Sequence, residues 1–396
     1  LKIFKYFSHI IFGLFKKKYY ESESDVKNID IIFFSHLVNS KHLNIKKDFY
    51  FGLMPNLFNH KSMMVLNNET ELSNQNLLNN YKRKKKMVFI SNNISIKKEF
   101  CLFLKIFSDL VKIIVNKPKL NDKESKVFYK HVILNLFDQT TLKNLRLSFQ
   151  IHDLIKKYKP KKIVYTFEGH CYENTILNCA KSIDNNITCI AYNHSIIFPD
   201  QPSLLKPKNK KFYPDIILTS GKNGFDILKK IYSRSKLYKI GNPRHPNAKI
   251  KSNKGNICLL LPDGTIEETK KMLKLIPDDV KIKNKIKFLV RFHPGVRFSF
   301  QNNINPNIIY SKNSLSDDLK KSSWTLYRGT GAVIHGLYNG LRPIYLSYKK
   351  NELSLDPLID LKNYKKIVNN FDELLKIIDK DINSDFFKSK KKYIKK

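Results

Sequence analysis

Short runs of β-branched or aromatic residues recur along this chain, with helical patterns between many of them. The runs are Ile29–Ser35, Met87–Ser91, Lys162–Phe167, Thr188–Asn193 and Asp215–Thr219, followed by Ile257–Leu261, Phe288–Phe292, Asn307–Tyr310, Trp324–Tyr327 and Pro343–Leu346. Glu173–Asp184, Asn223–Ser233 and Thr265–Leu275 read as helices between them. Such alternation constrains the fold strongly. A strand that returns in the same direction needs a crossover, and the crossover helices then cover both faces of a parallel sheet. The expected class is therefore α/β. The strands form two series separated by the polar stretch Asn247–Asn256, which predicts two Rossmann-like domains facing a cleft and joined near residue 250. A chain of 396 residues exceeds what a single core usually supports, so two domains fit its length. The expected boundaries are 1–20 for a separate N-terminal segment, 21–248 for the first domain and 249–396 for the second. Residues 36–85 and 110–150 are rich in Lys and Asn and yield no assignable elements.

Charge narrows the partners. Lys and Arg total 73 against 34 acidic residues, a formal charge of +39, yet only eight are Arg. Abundant Lys with Asn, Ile, Phe and Tyr fits a bias toward AT-rich codons as well as attraction to anions such as nucleotide diphosphates, acidic glycans or anionic lipid. No module of clustered Arg and exposed aromatics is visible, so nucleic acid is not the expected partner. The five Cys form no CxxC pair, which argues for a reducing compartment and against a disulfide framework or structural zinc site. The opening LKIFKYFSHIIFGLFKKKYY is apolar with basic flanks, but Lys5 and His9 interrupt it and make it too short and too charged to span a bilayer. It reads as a basic amphipathic helix, lying either on a membrane surface or on the protein's own core. The expected location is cytoplasmic, with peripheral contact at the inner face of the membrane through that segment.

In doubly wound sheets ligands bind beyond the carboxyl ends of the strands, so reactive residues at strand exits are the candidates. Arg291-Phe292-His293-Pro294 ends one such strand. Strand alternation would point Arg291 and His293 to one side, and a ring N–H of His293 suits an anionic phosphate. Arg328-Gly329-Thr330-Gly331 lies between a strand and an apolar helix, where small residues, a hydroxyl and backbone N–H groups can receive phosphate. Glu168, at the exit of KKIVYTF, and the nearby His170 are candidate general bases. Glu173 suits the first turn of the following helix. His194, after TCIAYN, is a further base or phosphate contact. Asp263 and Gly264 open the second series, and Arg244 closes the first; a plain turn explains each of these equally well. No DxD pair sits at a strand tip, and Asp317-Asp318 read as helix-start residues, so no metal is expected.

Taken together, these residues resemble a GT-B glycosyltransferase of bacterial surface-carbohydrate biosynthesis. RFHP and then LSDDLKKSSWTLYRGTGAVIHGLYNGLRPIYLS are similar to the donor-binding half of two groups, the bacterial sialyltransferases with polysialyltransferases and the CDP-glycerol glycerophosphotransferases. The first resemblance implies an acidic motif followed by Gly in the first domain, here Glu168-Gly169 with Phe167 where a second acid would stand. It implies a His-Pro pair, here His293-Pro294, and a Ser/Thr-rich phosphate segment, here carrying only Thr330. The implied reaction is metal-independent sugar transfer from a nucleotide-activated donor to a surface-glycan or glycolipid acceptor, with the donor as substrate and no separate cofactor. The donor's phosphate would meet Arg291, His293 and Thr330, and Glu168, His170 or His194 would deprotonate the acceptor hydroxyl. A nucleotide-sugar epimerase on the same architecture, a glycerophosphotransferase and a non-catalytic polyanion-binding protein remain open at this point.

Overall fold

The protein is described by a computed structural model covering residues 19–22, 28–44, 47–70, 72–81, 86–91, 93–117, 122–198, 201–207, 209–243, 255–279, 285–293, 296, 305–348 and 354–382. It divides into two compact units, one of Leu1–His194 with Ser203–Arg244 and the other of Ser195–Pro202 with His245–Lys396. Within the second unit, Ile196 packs against Gly331, where an added Cβ would lie 3.4 Å from its Cδ1. Residues 1–18 of the expected amphipathic segment lie outside the described residues. Its last two residues are strand and not helix.

The first unit is built on an eight-stranded sheet: β1 (Tyr19–Glu21), β2 (Ile31–Leu37), β3 (Ser62–Asn68), β4 (Lys86–Ile90), β5 (Lys162–Thr166), β6 (Thr188–Asn193), β7 (Ile216–Thr219) and β8 (Lys236–Lys239). Their order is β1-β4-β3-β2-β5-β6-β7-β8, parallel throughout except for the antiparallel edge pair β1–β4. Its central strands are apolar on both faces, as a doubly covered sheet requires: Ile32, Phe33, Val65, Phe89 and Ile163 are all fully buried. The principal helices are α1 (Ile96–Val115), α2 (Lys123–Asn135), α3 (Gln139–Tyr158), α4 (Cys171–Ile183) and α5 (Lys222–Ile231).

The second unit carries a six-stranded parallel sheet of β9 (Ile257–Leu261), β10 (Lys287–Val290), β11 (Ile308–Tyr310), β12 (Trp324–Tyr327), β13 (Arg342–Leu346) and β14 (Lys366–Val368). The order is β11-β10-β9-β12-β13-β14. Helices α6 (Ile266–Lys274), α7 (Leu315–Lys321), α8 (Ala332–Tyr338) and α9 (Phe371–Ile382) complete it. Trp324, Leu326, Phe288 and Cys258 form one core layer, and Leu259, Leu261, Tyr327 and Val333 form the other.

In each sheet the strand order reverses once, between β2 and β5 in the first unit and between β9 and β12 in the second. These reversals are the places where a doubly wound sheet leaves an uncovered crevice at its carboxyl edge.

The two stretches whose patterning yields no assignable elements contain regular structure among their described residues. Residues 36–85 contain β3, whose Met63, Met64, Val65 and Leu66 are buried. Residues 110–150 contain α2 and the start of α3, whose buried face includes Leu142, Leu147, Ile151 and Leu154. No helix among the described residues is long and apolar enough to cross a membrane.

A buried ion pair ties α1 to α3. Arg146 Nε donates to Glu99 Oε1 at 2.6 Å and its Nη2 to Oε2 at 3.2 Å, with both side chains at most 5% exposed. The two-pronged geometry meets both carboxylate oxygens. A Glu99→Gln variant would leave the guanidinium buried without its counter-charge, at an expected cost of about 3–5 kcal/mol. Urea unfolding checks this, and an unchanged midpoint would show that the pair contributes little.

Candidate functional site

The switch point of the first unit is fixed by one carboxylate. Glu173, in the first turn of α4 and 1% exposed, accepts the backbone N–H groups of Glu168 at 2.7 Å, Gly169 at 2.8 Å and His170 at 3.0 Å. Burial pushes its pKa well up, while the three donors oppose that shift. The loop they hold turns at Gly169, whose φ of +88° is left-handed. A Cβ there would lie 2.2 Å from Ser203 Oγ, so glycine is required for space as well as for conformation.

The clamped loop presents Glu168 between two imidazoles. Its Oε2 lies 3.5 Å from His170 Nε2, and its Oε1 lies 3.5 Å from His194 Nδ1. His194 is buried and His170 about half exposed. These three expected residues therefore converge although they leave two different strands. The structure adds His36 to them, at the end of β2 across the switch point. Tyr50 Oη meets His36 Nε2 at 2.8 Å, and Tyr172 Oη lies 3.3 Å from His36 Nδ1. Tyr172 Oη also meets Thr166 Oγ1 at 2.5 Å, and the ring stacks on His170 at 5.6 Å. The ring of Tyr50 lies 4.6 Å from that of His194. Burial lowers the pKa of His36, with Glu168 opposing and His170 assisting that shift, so the neutral ring is favoured. β2 runs to Leu37, two residues past the Ser35 at which the patterning ends it, so His36 falls in the Lys/Asn-rich stretch 36–85. The strand-exit criterion applied elsewhere would have found it.

In the second unit the exits of β9, β10 and β12 meet at the other switch point. His293 lies against the loop after β9, with its Nδ1 3.2 Å from where a Cβ on Gly264 would be. Burial lowers the pKa of His293 and Asp263 opposes the shift, so this ring too is favoured neutral. Gly329 has φ +66°, and a Cβ there would meet the Asp263 Cβ at 2.7 Å. The Gly329 backbone thus packs directly against the Asp263 side chain. Asp263 Oδ1 accepts from Thr265 N and Thr265 Oγ1, both at 2.7 Å, which makes it a turn-former before α6. Thr330 Oγ1 accepts from Ala332 N at 3.2 Å. Gly331 is the N-cap residue of the seven-residue helix α8.

Two of the expected phosphate contacts are engaged by groups of the second unit itself. β10 ends at Val290, so strand alternation does not orient Arg291 with His293. The Arg291 guanidinium instead donates to Asn313 O at 2.7 Å and to the buried Asp318 Oδ2 at 2.9 Å. Arg328 is 2% exposed. It donates to Tyr345 Oη at 2.9 Å and Leu346 O at 3.1 Å, stacks over Tyr348 and pairs with Glu268 at 3.5 Å. Both guanidinium groups are thus satisfied within the second unit. Pro294 and Arg244 lie outside the described residues. Among the described residues no group of three or more His, Cys, Asp or Glu converges on a cation position.

No family model and no curated protein matches the chain. Among solved structures it is similar to the calicheamicin glycosyltransferase CalG4, with 10% identity, coverage of 90% of this chain and 91% of that one, and a TM-score of 0.52. It is similar to UDP-N-acetylglucosamine 2-epimerase from Rickettsia bellii, with 12% identity, 90% of each chain and a TM-score of 0.51. It is also similar to S. aureus MnaA in a co-structure with UDP, with 10% identity, 90% and 88% coverage and a TM-score of 0.50. At these identities the likeness shows the fold, which is mixed α/β with two parallel-sheet domains of the GT-B type.

Two expectations test the first-unit cluster. Glu173→Gln offers the three N–H donors only one acceptor oxygen, and should cost about 1–3 kcal/mol with faster proteolysis at residues 168–170. Unchanged thermal unfolding and nicking would remove Glu173 as the clamp. For His36, the unfolded chain takes up a proton near pH 6.5 that the folded chain resists. Its contribution to stability is complete above that value and is lost as pH falls through the lower folded value, with a slope of at most about 1.4 kcal/mol per pH unit. Urea unfolding from about pH 7.5 to 5.5 should fall less steeply in His36→Gln than in the native chain; equal slopes would count against a buried neutral ring.

Proposed function

We propose that the chain is a nucleotide-sugar-dependent glycosyltransferase, with the donor held by the second unit and the acceptor hydroxyl deprotonated in the first. The observation that carries the reading is the Glu168 carboxylate held 3.5 Å from each of two imidazoles on a clamped strand-exit loop. A carboxylate so placed can take the hydroxyl proton as the acceptor oxygen attacks the anomeric carbon. The bond from that carbon to the donor phosphate breaks, and the electron pair leaves on the nucleotide. His293, favoured neutral, can donate one ring N–H to the departing phosphate, so that charge is met without a metal and without a separate cofactor. The fold likeness to CalG4 supports the reaction class. A surface-glycan or glycolipid acceptor, and a donor of the kind used by sialyltransferases or glycerophosphotransferases, are the finer parts of the proposal. They rest on the RFHP and Glu168-Gly169 resemblance.

A second reading, a nucleotide-sugar epimerase, is favoured by the likeness to the Rickettsia enzyme and by the number of acid–base groups around His36. The two separate on one point, because an epimerase turns over its nucleotide sugar with no acceptor present.

Thermal-shift screening against CMP, CDP, UDP, GDP and their sugars should first identify the donor, since binding to the folded state raises apparent stability. With that donor and a glycan acceptor, His293→Ala should lower turnover by roughly 10²–10³-fold and Glu168→Gln by roughly 10²–10⁴-fold, both with unfolding midpoints near the native value. Transfer at the native rate by His293→Ala would overturn the leaving-group assignment, and full activity in Glu168→Gln would move the base to a histidine.

A further inference from the structure

Helix α1 is amphipathic twice over. One face carries the buried Glu99, Leu102 and Ile106, which join Ile94 and Leu142 in a local core. A second face carries Ile96, Phe100, Leu104, Phe107, Val111 and Ile114, each 44% to 62% exposed. Their spacing averages one helical turn, so they form a single straight stripe about 30 Å long, and no part of the described protein covers it. Soluble chains scatter exposed apolar residues singly, whereas a contiguous stripe marks an interaction surface. The neighbouring helix α2 has no buried residue and is fastened to α1 by a hydrogen bond from Tyr129 Oη to Ile113 O at 2.7 Å. It also carries an exposed aromatic side chain, Phe128, 71% exposed.

We propose that this α1–α2 face docks on an anionic lipid bilayer. Charge selects the occupant. Lys97 borders the stripe, Lys105 and Lys112 stand exposed on the arc of the helix beyond it, Lys117 lies just past the helix, and Asp109 is the acidic neighbour of Lys112 at 3.9 Å. A second copy of this chain would bring Lys97 toward its own like and set two chains of +39 against each other. An anionic headgroup layer complements them, while the apolar side chains enter the acyl boundary and the lysine stems reach back to the surface. This inference is independent of the transferase reading.

Flotation of the full chain tests it, with vesicles of phosphatidylcholine alone and of phosphatidylcholine with an equal share of phosphatidylglycerol. The native chain should bind the mixed vesicles at least tenfold more tightly, and high salt should weaken that binding. The double variant Phe100→Ser with Phe107→Ser, both exposed in the folded chain, should lose at least tenfold while its unfolding midpoint is retained. Lys97→Glu with Lys105→Glu should lose the preference for the anionic mixture. Absence of binding by the native chain overturns the proposal. Native-level binding by the serine variant also overturns it, since residues 1–18 or another surface would then carry the contact. Self-association that the serine variant abolishes, without vesicle binding, would assign the face to a second copy and overturn it as well.

Discussion

Where the strand order of a parallel sheet reverses, the two crossovers leave in opposite directions and no helix closes over the carboxyl edge between them. Both sheets contain one such gap, and the candidate chemistry of each unit is found there. In the first unit the gap lies between β2 and β5, and it gathers His36, Glu168, His170 and Tyr172. In the second it lies between β9 and β12, and it gathers Asp263, Gly264, His293 and Gly329. The rest of the fold supplies rigidity behind those positions. The three N–H groups gripped by Glu173 and the Arg328 guanidinium lodged among Tyr345, Tyr348 and Glu268 hold the neighbouring loops in fixed positions.

The electrostatics of the two gaps share one feature. Each contains an imidazole whose pKa burial lowers and a nearby carboxylate partly restores. A neutral ring can donate one hydrogen and accept another, which an imidazolium cannot do. That capacity suits the proton handling proposed for the first unit and the single N–H proposed to meet phosphate in the second.

The alternation of apolar runs and helical stretches carried most of the architecture. Each of the ten expected strands has a counterpart, displaced by at most two residues at either end. The elements that escaped notice did so for local reasons. β3 lies in a Lys/Asn-rich stretch, and its apolar run Met63–Leu66 is only four residues long, too short for pattern alone to tell strand from buried helix. In α2 and α3 the apolar period is diluted by Lys, Asn and Thr; α3 is decided by packing of its buried face, while α2 buries no residue and offers no apolar face to read. At the site, Glu168, His170, His194 and His293 were legible because strand exits can be read from patterning. The guanidinium directions of Arg291 and Arg328 were not. A long flexible side chain reaches partners far away in sequence, here Asp318 and Tyr345, and one-dimensional spacing carries no record of that.

The cysteines bear on how such a molecule can be observed. Cys179, Cys189 and Cys258 are buried, and desolvation pushes the first thiol up to about 11 and the other two up to about 12, which leaves them unreactive near neutrality. Cys101 and Cys171 are exposed. One sits on α1 and the other opens α4, immediately after His170. The chain therefore comes with a natural pair of attachment points for spectroscopic tags inside one domain, one reporting from the lysine-edged helix and the other from the rim of the histidine cluster.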